Sequence, residues 1–195
     1  MRLLVLALIA AAGQNVTVVM EKAADDFRAG RITAAVQGFD RAALLAPAEA
    51  PFMWQRGIAQ FYAGQFRECA RMFASHRTVN PDDVENAAWH FLCVARAESP
   101  EAARRQLLPV GPDGRMPMRE VYRMFKGELT QEQVMQAAGS NPSAQFFARL
   151  YIGLYLDAIG DRAAGRAQLE IAAADRYARA GGYMHDVARV HMKMP

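Results

Sequence analysis

Most of the signatures that would tie this chain to a chemistry are missing. It has no phosphate-binding glycine loop, no Gly-x-Gly-x-x-Gly, no Cys-x-x-Cys and no His-Glu-x-x-His, which leaves nucleotide, dinucleotide, thiol-redox and zinc-hydrolase chemistry without their usual anchors. No catalytic residue, cofactor or metal site is expected, and the chain reads as a non-enzyme. Charge of one sign is also scarce. Lys plus Arg number 23 against 20 for Asp plus Glu, a net +3, and the basic residues are spread along the chain rather than gathered, so a nucleic-acid partner is not expected. No low-complexity tract occurs, and with 52% hydrophobic and 22% charged residues the chain should fold throughout. The apolar run Leu3 to Ala12 has ten residues, half of the roughly 20 needed to cross a bilayer, so no stable membrane span is expected.

That run has another reading. Arg2 supplies a positive start, and Ala10, Ala11, Ala12 and Gly13 are the small residues at which a signal peptidase cuts. Residues 1–13 are therefore expected to be a cleaved signal peptide and the protein to be exported, periplasmic or secreted. An apolar first helix or an anchor is the alternative, although Gln14 and Asn15 end the run and no cysteine follows it to carry lipid. The chain has only two cysteines, Cys69 and Cys93. In an oxidising compartment they could pair, since they fall in successive helices. They could equally be two small buried apolar side chains, and the narrow geometry of a disulfide favours that second reading.

What the chain does have is a period. Gly30, Phe39 and Pro47 recur 34 residues later as Gly64, Phe73 and Pro81. Residues 16–47 read as one helix-turn-helix unit, with Val16–Ala29 closed by Gly30 and Ile32–Ala46 stopped by Pro47. Residues 50–81 repeat it. A third unit, 84–108, opens with Asp82 and Glu85 at capping-box spacing, runs as a helix over Val84–Ala97, and restarts at Ser99-Pro100 as N-cap and N1. Regularity breaks over 109–141. A Pro- and Gly-rich loop leads to two short helices, Met118–Lys126 and Gln131–Ala138, the second with a Thr130/Gln133 capping box. The period resumes over 142–178: Gly153 and Gly160 stand seven apart, as Gly57 and Gly64 do, and Leu169 takes the place of Phe73. Residues 182–195 form a capping segment, a helix over Tyr183–Met194 with a strand over Val187–Met192 as the alternative. One all-α domain over 14–195 follows, with 109–141 as an insertion that covers or extends one face.

The second unit, Trp-Gln-Arg-Gly-Ile-Ala-Gln-Phe-Tyr-Ala-Gly-Gln-Phe over 54–66 with Asn80-Pro81 at its end, resembles the tetratricopeptide repeat family, as does the 34-residue period. In the first unit Ala23 replaces Gly57, and in the second His76 stands where the family favours a small residue, which would leave His76 partly exposed. The resemblance implies a right-handed array of antiparallel helix pairs whose first helices line a concave groove for an extended or helical peptide. The matching positions are Phe27, Arg28, Trp54, Ile58, Phe61, Tyr62, Leu92 and Arg96, with aromatic and arginine anchors of the kind interfaces use. It further implies a non-enzymatic scaffold with a protein or peptide partner, similar to envelope adaptors of proteases and cell-wall hydrolases. A structural component that self-associates into homo-oligomers is the alternative. The four histidines read as ordinary surface or hydrogen-bonded residues, since the six-residue step from His185 to His191 turns them to different helix faces. Trp89-His90 reads as core. The 11 methionines suit either an adaptable groove or irregular core gaps.

Overall fold

Four of the helix-ending turns are the same turn, and glycine dictates it; one of them, at Gly127 with φ +84° and the Glu128 amide reaching back to the Arg123 carbonyl at 2.9 Å, lies in the irregular segment 109–141. The computed structural model describes residues 16–194, so the signal-peptide reading of 1–13 lies outside the described residues. Helix α1, residues 16–28, ends at Gly30 with φ +77°. Helices α3 (Trp54–Tyr62) and α9 (Pro142–Ala158) end at Gly64 and Gly160 with φ +74° and +99°. In each the amide after the glycine reaches back five residues, Arg31 to Asp26, Gln65 to Gln60 and Asp161 to Leu156, all at 2.8–2.9 Å. This Schellman closure needs the left-handed region, where glycine carries no Cβ penalty.

The remaining helices are α2 (Ile32–Leu45), α4 (Phe66–His76), α5 (Val84–Ala97), α6 (Pro100–Arg105), α7 (Met118–Lys126), α8 (Gln131–Ala138), α10 (Arg162–Ala172), α11 (Ala178–Gly181) and α12 (Tyr183–His191), with 3-10 turns at Pro47–Phe52 and Asp175–Tyr177. The described residues contain no strand. Helices succeed one another in space as in sequence, α2 on α3, α3 on α4, α4 on α5 and α5 on α6, before α9 and α10 form the most extensive pair. Small residues set these approaches. A Cβ on Gly57 would lie 2.7 Å from the Phe73 ring and one on Gly153 2.6 Å from Leu169, so the glycine of α3 and that of α9 each admit one bulky side chain from the following helix.

Several expectations change. Asp83, not Asp82, caps α5, its carboxylate accepting from the Glu85 amide at 3.0 Å. The unit expected over 142–178 does not end in one continuous helix: α10 stops at Ala172, and a 3-10 turn and α11 follow. The strand alternative over Val187–Met192 is replaced by α12. His76 is buried rather than partly exposed, because its Nδ1–H donates to the Pro51 carbonyl at 2.7 Å and ties α4 to the 3-10 turn. Cys69 and Cys93 are paired as a disulfide, Cα atoms 5.8 Å apart, linking α4 to α5. Both positions are fully buried, and their Cα separation lies within the range that a disulfide spans.

The segment 109–141 does more than cover a face. Met118, Val121, Met124 and Phe125 of α7 are buried, and α7 packs on both α5 and α9. Phe125 lies 5.0 Å from Phe91, 5.1 Å from Tyr155 and 6.5 Å from Tyr151 between ring centroids. The Arg115 guanidinium anchors the preceding loop on Asp83, Glu85 and Asp113. One hydrophobic cluster runs from Ala23 to Val190 without interruption at the insertion.

Candidate binding cleft

The face expected to be an open groove is occupied by the chain's own last helix. After Gly182 at φ +51°, α12 runs along it, and the residues singled out for partner binding meet α12 or the core. Arg28 donates to Asp186 at 3.0 Å and lies over the Tyr183 ring at 5.5 Å. Phe27 stacks on Tyr183 at 5.7 Å and Trp54 meets the same ring edge-on at 5.2 Å. The Tyr62 hydroxyl donates to His191 Nδ1 at 3.1 Å. Arg96 pairs with Asp157 at 2.5 Å. Ile58 and Leu92 are 0% exposed and Phe61 is 7% exposed, so all three belong to the core rather than to a surface. Trp54, Tyr62, Arg28 and Arg96 retain partial exposure.

Two cavities flank α12. The second, about 460 Å³, is lined by Tyr62, Phe66, Arg96, Asp157, Arg166 and His191. The C-terminal ends of α3, α5, α9 and α12 converge on it, and its arginines offset the carbonyl ends of those helices. The first, about 520 Å³, lies where α3, α5 and α12 begin and α4 ends. Phe52, Trp54, Phe73, Trp89 and Tyr183 give it aromatic walls from five different elements, and His76, Asn80, Asp83, Glu85 and Asn86 supply polar groups. A concave, mainly aromatic site with a few fixed polar groups is the usual form of a ligand pocket.

The polar groups of this cleft are largely committed. Asp83 accepts from Asn80 at 2.9 Å and from Arg115 at 2.5 Å. Glu85 accepts from the Tyr151 hydroxyl at 2.5 Å and from Arg115 at 2.6 Å. Burial, reinforced by Asp83, holds its carboxyl above the usual range. With its amide turned to match its neighbours, Asn86 donates to the Phe73 carbonyl at 2.9 Å and accepts from the Arg77 amide at 3.0 Å. Two groups stay unmatched: Trp89 Nε1 and the Tyr183 hydroxyl are buried atoms without a hydrogen-bond partner. Among the described residues no three of His, Cys, Asp and Glu gather in a metal-holding cluster.

The sequence matches no protein-family model and no curated protein. Of the cleft's aromatic walls only Trp54 stood out in the sequence. Trp89 reads as core and Phe73 marks the 34-residue period; both are buried, and nothing local marks Tyr183 as a neighbour of Trp54. The usable signal was compositional, because the chain's two tryptophans both line this one cavity.

His191 gives the second cavity a pH response. Burial lowers its pKa, Arg96 and Arg166 push the same way, and Asp157 opposes them. The folded protein thus keeps His191 neutral where the unfolded chain, titrating at about 6.5, takes up a proton. This contribution is complete above pH 6.5 and is lost as pH falls through the window below it. Glu85, raised, contributes in the opposite direction. The difference between wild type and His191→Asn, whose side-chain oxygen can still accept from Tyr62, isolates the histidine. We expect the wild type to lose more stability than the variant between pH 7 and 5, read from urea midpoints; parallel pH profiles would rule His191 out as the source.

Proposed function

We propose that the protein is a non-enzymatic binding scaffold that recognises a partner protein or peptide through the aromatic cleft beside α12. The observation that carries this reading is the convergence of Phe52, Trp54, Phe73, Trp89 and Tyr183 on one cavity of about 520 Å³, since aromatic side chains in a desolvated pocket dominate interface energetics. The tetratricopeptide-like array is part of the same proposal. Its support is the repeated Gly57/Phe73 and Gly153/Leu169 packing and the recurring Schellman turns. In this reading α12 takes the centre of the concave face and confines a partner to its flank. Export is supported by the paired cysteines, which persist in oxidising compartments, together with the apolar start of the sequence.

The test is capture of a partner from an envelope fraction by wild type and by a Phe52→Ser/Trp54→Ser variant, both verified as folded by circular dichroism. Retention by wild type with at least a tenfold loss in the variant is expected; equal retention would exclude the cleft. Leu44 and Phe52 are 74% and 52% exposed, which favours the self-association alternative as the second reading. A sedimentation coefficient that rises with concentration, without any captured partner, would select it.

A further inference from the structure

The second cavity, on the other flank of α12, carries charge that its lining does not balance. Arg96, Arg162 and Arg166 border it with a single carboxylate, Asp157, and Arg96 donates to that carboxylate at 2.5 Å. Neither the Arg162 nor the Arg166 guanidinium pairs with a described residue. Part of the excess faces the carbonyl ends of helices, but two of those ends are already closed: Gly64 and Gln65 donate to the Phe61 and Gln60 carbonyls, and Gly160 and Asp161 to those of Asp157 and Leu156. Packing sets where the two arginines stand. A Cβ on Gly165 would lie 2.8 Å from both the Asp157 nitrogen and the Gly153 oxygen, so α10 lies directly on α9. Arg162 and Arg166, four residues apart, share the helix face beside that contact. The Arg166 charge is felt inside the cavity: burial, then Arg96 and Arg166, lower the His191 pKa against the pull of Asp157.

We propose that this cavity binds an organic dianion, a phosphate monoester, with Arg162 and Arg166 as its clamp and Phe61, Phe66 and Met194 beside its apolar part. The site is separate from the aromatic cleft and does not rest on it. Charge sets the class: three guanidinium groups against one carboxylate leave +2 on the lining while His191 is neutral, and a phosphate monoester carries about −1.5 to −2 at neutral pH. Donor geometry selects further. A carboxylate offers two oxygens, which one guanidinium fork occupies in a bidentate pair, whereas the three terminal oxygens of a phosphate leave room for a second fork. A cation is disfavoured, since it would add to a charge already in excess. Both arginines are exposed, so they can close on a ligand without disturbing the core.

Phenyl phosphate, phenylacetate and phenylacetamide, one ring with falling charge, are titrated by calorimetry into the full chain at about pH 7.5, where the phosphate is doubly ionised. Phenyl phosphate is expected to bind about tenfold tighter than phenylacetate, and the amide more weakly than either. Inorganic phosphate, which leaves the apolar wall bare, should bind several-fold more weakly than phenyl phosphate. Arg162→Gln/Arg166→Gln should weaken phenyl phosphate by about tenfold or more. Arg105→Gln/Arg119→Gln removes the same charge from exposed sites that line neither flanking cavity, and should leave the affinity within about twofold. Circular dichroism checks that both variants are folded. His191 supplies a local readout. The groups facing it are Tyr62 of α3, Arg96 of α5, Asp157 of α9 and Arg166 of α10, and a dianion offsets the two arginines among them, so saturating phenyl phosphate should raise the His191 pKa. Proton chemical shifts follow it, with His191→Asn identifying the resonance. Phenylacetate, the amide or inorganic phosphate binding as tightly as phenyl phosphate would overturn the proposal. So would equal weakening by the two arginine pairs, an unmoved His191, or no binding of phenyl phosphate. None of these results touches the aromatic cleft. Among positive outcomes, an acetylated and amidated Gly-Gly-phosphotyrosine-Gly-Gly peptide binding as tightly as phenyl phosphate identifies a modified side chain as the source. Exclusion of that peptide identifies a small phosphate ester.

Discussion

Replacing Cys69 and Cys93 together by alanine is expected to lower the free energy of unfolding by about 3 kcal/mol, the loop-entropy value for a bridge of this span, and the melting temperature by roughly 10 °C for a chain of this size. The bond joins residues 24 apart in sequence, so cutting it frees the unfolded chain over the α4–α5 hairpin. Both sites are 0% exposed, and alanine leaves little void there, which keeps the packing cost small beside the entropic one. Reductant discriminates further. It should depress the wild-type transition towards that of the double variant and leave the variant unmoved, and the unfolded wild type should titrate no free thiol without reductant. If the two sulfurs were merely buried thiols, reductant would do nothing, and the substitutions would cost about 1 kcal/mol, as modest core truncations do.

The disulfide also marks where sequence reasoning stops. Spacing put the cysteines in successive helices, and the choice between a bond and two buried thiols then turned on ångström distances that spacing does not contain. Much local chemistry is legible in the sequence, although the cap of α5 falls one residue along, on Asp83. Ser99 and Pro100 start α6 as cap and first residue, and Thr130 and Gln133 close a reciprocal capping box. Gly30, Gly64 and Gly160 adopt the left-handed turn that their period implied. Each of these features is decided within about six residues by backbone preference and short hydrogen bonds. The cleft was not legible in that way. Trp54 on α3 meets Tyr183 on α12 edge-on at 5.2 Å, and beside them Arg28 and Asp186 pair across 158 residues; no period links either pair. A repeat pattern describes each pair of helices with its neighbours, whereas α12 returns across several pairs at once. Ile58 and Leu92, which the same pattern places on the groove, belong to the one continuous hydrophobic core instead.

Substitution of Phe125 by alanine is expected to cost about 4 kcal/mol, in the range for a buried phenylalanine lost without refilling, and to lower the midpoint of one cooperative transition for the whole chain by roughly 10 °C or more. Phe125 is fully buried and sits edge-on to Phe91 of α5 and against Tyr155 of α9. α5 and α9 touch each other no more extensively than each touches α7, so α7 is one of the couplings between the first half of the chain and the second, beside the contacts that α12 makes with Phe27, Arg28, Trp54 and Tyr62. A segment that only covered a finished array would behave otherwise. Its truncation would loosen 109–141 locally, raising amide exchange there, while the helices on either side melted as in the wild type. Phe52→Ala serves as the reference, because Phe52 is half exposed and its loss should change stability by no more than about 0.5 kcal/mol. Two separate transitions in the Phe125 variant, or a midpoint close to that of Phe52→Ala, would show that the stack holds without α7. A single displaced transition would mean that the irregular segment joins the two halves, and that the aromatic cleft at α3, α5 and α12 owes its alignment to a helix outside the repeat.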